Sequence, residues 1–135
     1  MSRRGDVVIV EIPFTDVVGM KKRPAVIVQS DAYNLSIRKT VVAIFTGNLR
    51  RTADPAHLLV DPSTLEGASS GLSGPSLASC YNLFTVEQNR IEQVIGHLSD
   101  VLKSRLNNCL KRRWNCRRDF VRMRHIGNRG VKDSA

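Results

Sequence analysis

Apolar residues along this chain come in short runs rich in β-branched side chains: Val7-Val8-Ile9-Val10, Ala25-Val26-Ile27-Val28 and Val41-Val42-Ala43-Ile44-Phe45. Gly, Pro and Asp bound these runs, the punctuation of strands rather than helices. The pattern predicts strands over residues 6–12, 24–30 and 40–45, with shorter ones over His57–Val60, 77–80, 83–86 and 93–98. Pro24 can open its strand because it has no ladder donor to lose. Between the strands, 13–23 reads as a loop carrying Phe14 and Gly19, and 31–39 as a polar turn or single helical turn. Residues 47–55 read as a loop with Arg50 and Arg51, and 61–75, rich in Gly, Ser and Pro, as a mobile one.

Only one stretch has the helical period. Starting from Ser99 or Asp100, either an acceptable N-cap, Leu102, Leu106, Cys109, Leu110 and Arg113 fall on one face. Beyond Trp114 the apolar periodicity is lost. Short strands followed by one amphipathic helix predict a mainly β (α+β) chain, a small, strongly bent antiparallel barrel with a C-terminal helix. At 135 residues the length suits one domain, and 41% hydrophobic residues exclude a wholly disordered chain.

Charge refines this picture through its distribution. The formal net charge is +9, yet residues 1–110 hold twelve Lys/Arg against ten Asp/Glu, and 111–135 hold nine against two. The expected division is therefore a nearly neutral folded domain, 1–113, and a basic, flexible tail, 114–135. No apolar run approaches the roughly 20 residues of a membrane span. Asp6, Glu11 and Pro13 interrupt the segment behind the basic start, which argues against a signal peptide. A cytoplasmic chain with no membrane association is expected. Cys80, Cys109 and Cys116 are odd in number and lack C-x-x-C spacing, so free thiols are expected, with no metal and no cofactor.

Candidate chemistry gathers at strand ends. Arg23, in Lys21-Lys22-Arg23-Pro24, sits where one strand begins, and Thr46 where another ends. A fixed guanidinium grips phosphate with two donors, which points to RNA or DNA. Lys21 and Lys22 read as solvated loop residues that a nucleic acid could recruit. His57, His97 and His125 are too scattered to form an acid–base pair from the sequence. Gly67-Ala68-Ser69-Ser70-Gly71 matches a hydrolase elbow in letters only, because no strand precedes it and no helix follows.

These residues resemble the MazF/PemK family of toxin endoribonucleases. The resemblance runs in family order through Arg4-Gly5-Asp6-Val7-Val8, Lys22-Arg23-Pro24-Ala25-Val26-Ile27-Val28 and Val42-Ala43-Ile44-Phe45-Thr46. It continues through Gly71-Leu72, Pro75-Ser76, Cys80-Tyr81-Asn82-Leu83-Phe84-Thr85, Asn89-Arg90-Ile91 and Ile95-Gly96-His97-Leu98-Ser99, covering roughly residues 3–112. The resemblance implies an SH3-like barrel acting as a homodimer that cuts single-stranded RNA without metal, leaving a 2′,3′-cyclic phosphate and a 5′-hydroxyl. It also implies that Arg23 and Thr46 are the catalytic pair and that Asn82 helps hold RNA. Phe14 is expected beside Asn82, where splayed bases would stack. A cognate antitoxin is the implied protein partner, with DNA met only through the antitoxin complex. Phe84 stands where relatives often carry arginine, and Tyr81 where they often carry aspartate. Two other readings remain: a CcdB-type gyrase-poisoning toxin on the same fold, and a basic nucleic-acid-binding module without catalysis.

Overall fold

Residues 2–13 and 18–114 are described by the structure, a computed structural model of the chain. The elements run β1 (Asp6–Pro13), β2 (Met20–Ile27), α1 (Asp31–Ser36), β3 (Lys39–Thr46), β4 (His57–Val60) and β5 (Ser76–Glu87). A 3-10 turn (Gln88–Arg90), β6 (Ile91–His97) and α2 (Asp100–Trp114) complete the chain. Every strand pair is antiparallel, and the sheet order is β4-β5-β3-β2-β1-β6.

The three long apolar runs are the three central strands, and they are unbroken because both of their faces are buried. One face carries Val7, Val26, Ala43, Phe45, Leu58, Val60 and Ala78, covered by α2 through Leu102, Leu106 and Cys109. The other carries Val8, Val10, Ile12, Ala25, Ile27, Val42 and Ile44, with Phe84, Val86 and Ile91 packed against them. Ser99 caps α2, its Oγ accepting from the Leu102 amide at 3.3 Å, as either starting residue allowed. Burying each of Leu98, Leu102 and Leu106 stabilises the fold by roughly 1.5–3 kcal/mol.

Four features differ from the sequence reading. The sheet bends without closing: among the described residues no ladder joins β4 to β6, so the mainly β fold with its C-terminal helix is an open sheet rather than a sealed barrel. Residues 77–80 and 83–86, read as two strands, are one strand, β5, carrying an irregularity between them. The Asp61–Pro75 segment is tied down. Thr64 Oγ1 donates to the Asp61 carbonyl at 2.6 Å, the His97 amide to the Ser69 carbonyl at 2.9 Å, and Ser69 Oγ to the His97 carbonyl at 2.9 Å. Its approach to β6 is close enough to require Gly71, at φ +75°, whose added Cβ would strike the Ile95 carbonyl. Finally, β2 starts at Met20, so Lys21 and Lys22 are strand residues rather than loop residues. The polarity of 20–23 hid this, because an exposed strand end has no apolar pattern.

Candidate active site

At one end of the second apolar face, four strands and a loop surround a cavity of about 290 Å³. Strand alternation puts Arg23 on the face of Ala25 and Ile27, and Thr46 on that of Val42 and Ile44. Ala25 pairs with Ile44, so continuing that antiparallel register by two residues brings Arg23 opposite Thr46. Thr46 pairs in turn with Leu77 of β5, and Ser79 with His57 of β4. Register and pleat alone thus put Arg23, Thr46 and Leu77 in one cross-strand row, with the pair Ser79 and His57 one step along on the same face.

The irregularity in β5 supplies the remaining wall. Ala43 pairs with Leu83 and Phe45 with Ala78, so the single residue Ile44 faces the four residues Ser79, Cys80, Tyr81 and Asn82. Extra residues in one strand bend it and re-aim side chains. Here the bend brings Asn82 into the lining and sets the Tyr81 ring 5.7 Å from that of His57, tilted by 50°. From α2, Arg113 lies 5.5 Å from the centre of the Tyr81 ring. Behind the bend, Cys80 and Cys109 are buried and share a thiol hydrogen bond. That bond, together with burial, pushes the Cys80 thiol up, while the same bond lowers that of Cys109.

Electrostatically the cavity is cationic. Arg23, Arg50 and Arg51 line it, together with Asn48, and among the described residues no carboxylate does. Arg23 is half-buried; its Nη1 reaches the Phe45 carbonyl at 3.5 Å, while its Nε is buried with no hydrogen-bond partner among the described residues. Thr46 Oγ1 accepts from the Asn48 amide at 3.2 Å, which leaves its own proton to donate. Asn48 Oδ1 accepts from the Arg50 amide at 3.0 Å, and the Thr52 amide donates to the Leu49 carbonyl at 3.1 Å. The arginine loop is therefore folded turn by turn. Unspent donors converging on a partly enclosed space suit a phosphodiester oxygen, particularly one gaining charge.

Of the residues singled out in the sequence, Arg23, Thr46 and Asn82 meet in this cavity. Lys21 and Lys22 do not line it: Lys21 shares Arg23's face one step further out, and Lys22, on the other face, pairs with Glu92 at 3.1 Å. Phe14 and the tail beyond Trp114, with Cys116 and His125, lie outside the described residues. His57, set aside in the sequence because the histidines are scattered, lines the cavity, and Asn48, Arg50, Arg51 and Ser79 were missed. Their only signal was indirect: loop arginines between a strand-end threonine and the next strand. Among the described residues, no group of three His, Cys, Asp or Glu side chains is placed to hold a metal, and no helix is long and apolar enough to cross a membrane.

An antiparallel sheet backed by a C-terminal helix, with this cavity at its end, defines a known class of protein. The chain matches the model of the PemK-like, MazF-like toxins of type II toxin–antitoxin systems over residues 3–113, and it belongs to that family. An endoribonuclease MazF of Staphylococcus saprophyticus subsp. saprophyticus is 28% identical over 113 residues, covering 82% of this chain and 88% of that protein. Among solved structures, a mycobacterial endoribonuclease in complex with its cognate antitoxin matches with a TM-score of 0.68 at 20% identity, covering 85% of this chain and 96% of that one. A MazE–MazF structure from Deinococcus radiodurans matches with a TM-score of 0.65 at 13% identity, covering 84% and 96%. At these identities the two solved structures bear on the fold alone.

Proposed function

We propose that this toxin is an endoribonuclease that cuts single-stranded RNA at preferred sequences, without a metal, in the Arg23–Thr46 cavity. The observation that carries the reading is that three arginines and Thr46 line one cavity with no carboxylate among the described residues, one of them, Arg23, keeping an Nε donor with no partner among those residues. RNA contains its own nucleophile. The 2′-hydroxyl attacks the adjacent phosphorus, a phosphorane forms, and the 5′-oxygen leaves, giving a 2′,3′-cyclic phosphate and a 5′-hydroxyl. Arg23 stabilises the charge on the phosphorane oxygens with its fork of donors, and Thr46 Oγ donates a further hydrogen bond. Asn82 stands at the wall where a splayed base would be read, and Lys21, one step further out on Arg23's face, extends the path of the strand; Phe14 and Lys22 are kept as RNA contacts on the resemblance alone.

The family name and the antitoxin-bound relative support a second protein partner. An extended, partly acidic antitoxin segment laid across the cavity would cover the three arginines and exclude RNA. The chain acts in the cytoplasm as a symmetric homodimer, the commonest oligomer, in which two cavities give RNA a continuous basic path. Light scattering at micromolar protein is expected to report twice the chain mass, and a fully active monomer would contradict the dimer. The activity itself is tested by incubating the protein with a defined single-stranded RNA and a chelator. Discrete fragments with cyclic-phosphate ends are expected. Binding without fragments would instead make the chain a passive nucleic-acid-binding module.

A further inference from the structure

Attack by the 2′-hydroxyl requires a group that removes its proton, and a guanidinium deprotonates only with great difficulty. We propose that His57 is this general base and that Asp54 positions it; the inference rests on the reading that RNA is cut in the Arg23–Thr46 cavity. The His57 side chain is only 6% exposed, yet it lines the cavity opposite Ser79, on the same face as Thr46. Its Nδ1 is buried and, among the described residues, without a hydrogen-bond partner. Buried polar atoms are almost always satisfied, so a stranded imidazole nitrogen at the wall of a cationic cavity calls for a reason beyond packing.

Asp54 supplies that reason. Its Oδ2 stands 3.5 Å from Nδ1, close enough for attraction and short of good hydrogen-bond geometry. Such contacts are often long without substrate and tighten when it binds. The carboxylate is itself held in place. Oδ1 accepts from the Ala56 amide at 2.9 Å, the Asp54 carbonyl accepts from the His57 amide at 3.0 Å, and the Asp54 amide donates to the Arg51 carbonyl at 3.0 Å. A fixed carboxylate beside Nδ1 keeps the imidazole proton on that nitrogen, which leaves Nε2 with the lone pair a base needs. The Tyr81 ring braces the imidazole, and Arg113 packs against Tyr81. The same loop thus delivers the charge-binding Arg50 and Arg51 and the orienting Asp54.

The step balances without a further reactant. Nε2 takes the proton of the 2′-hydroxyl, the O2′–P bond forms and the P–O5′ bond breaks. The departing 5′-oxygen takes a proton from solvent, and the imidazolium returns its own to solvent. Arg23 and Thr46 act on the phosphorane oxygens between these events.

The test separates chemistry from binding in the full chain. Single-turnover cleavage of a single-stranded RNA, with enzyme in excess, is set against affinity for the same RNA made with 2′-deoxy sugars. His57→Gln, which roughly keeps the ring's volume, is expected to cut about 100-fold or more slowly while binding the uncleavable strand within about twofold of normal. His57→Ala should regain about tenfold when imidazole is added, because the free base enters the space left by the ring. Asp54→Asn should lose rate and keep affinity, since an amide favours the wrong tautomer. Cleavage by folded His57→Gln within about threefold of the natural chain would overturn the proposal. A loss of rate matched by an equal loss of affinity would overturn it too, making His57 a binding residue. A natural chain that cuts no RNA would bring down the underlying reading as well, whereas full activity in both proteins removes only the histidine.

Discussion

Arg23 holds a donor that no described residue uses, since its Nε is buried and unpaired among them while Nη1 makes one long contact to the Phe45 carbonyl. A fold that leaves a buried guanidinium nitrogen unsatisfied gives up stability, and the offset comes when an anion arrives. Replacing Arg23 or Thr46 with Ala should therefore slow RNA cleavage on the order of 10²–10³-fold each. Neither change should unfold the sheet, because the Val10–Arg23 pairing and the β3–β5 ladder are main-chain contacts. Arg23→Lys should fail almost as badly, for a point charge cannot reproduce a two-pronged fork. Single-turnover rates and circular dichroism check these points together, and near-normal cleavage by folded Arg23→Ala would remove the arginine from the mechanism.

Strand β5 and helix α1 show how single elements place the site and secure it. The four-against-one pairing at Ile44 turns β5 from a plain strand into a bent one, and without it Asn82 and Tyr81 would project elsewhere. Helix α1 is anchored at its start by Asp31, whose Oδ1 accepts from the Arg4 amide at 2.7 Å. That bond, opposed by slight desolvation and aided by Asn34 and by the charges of Arg3 and Lys103, holds the Asp31 carboxyl below the usual carboxylate range. A depressed carboxyl contributes stability at pH above its unfolded value and loses it as pH falls through the folded one. Asp31→Asn is thus expected to lower the melting temperature at neutral pH and to narrow the gap between melting at about pH 7 and at about pH 3. Because Asp31 is exposed, the effect should stay under about 1 kcal/mol. An unchanged gap would show that the tether carries no weight.

For the whole molecule, charge is divided between a nearly neutral body and a basic C-terminal segment, with nine Lys/Arg against two Asp/Glu after residue 110. Within the body, Arg23, Arg50 and Arg51 gather at the cavity. A segment that touches phosphates without base contacts adds affinity that falls as salt rises and adds no sequence preference. Truncation after Trp114 should leave the cut site unchanged and flatten the dependence of RNA binding on salt. Sequencing of fragments and binding at two or three salt concentrations test this. Cleavage at a different sequence would mean that the removed residues read bases.

The sequence alone locates most of the strands along the chain and the C-terminal helix, because these rest on local signals: β-branched runs bounded by Gly and Pro, and a 3.6-residue apolar period with a serine cap. It also singled out Arg23 and Thr46, since both stand at the ends of such runs, and family motifs added Asn82. Which residues share the cavity was settled by pairing between distant segments. His57 sits in a four-residue strand with no pattern of its own, and it reaches Thr46's face through β5, more than twenty residues later in sequence. Lys21 and Lys22 look equivalent to Arg23 in the sequence, yet neither lines the cavity, and pleat and register separate them from it. The bend in β5 and the open sheet edge are likewise outcomes of pairing between distant segments, which no local pattern encodes.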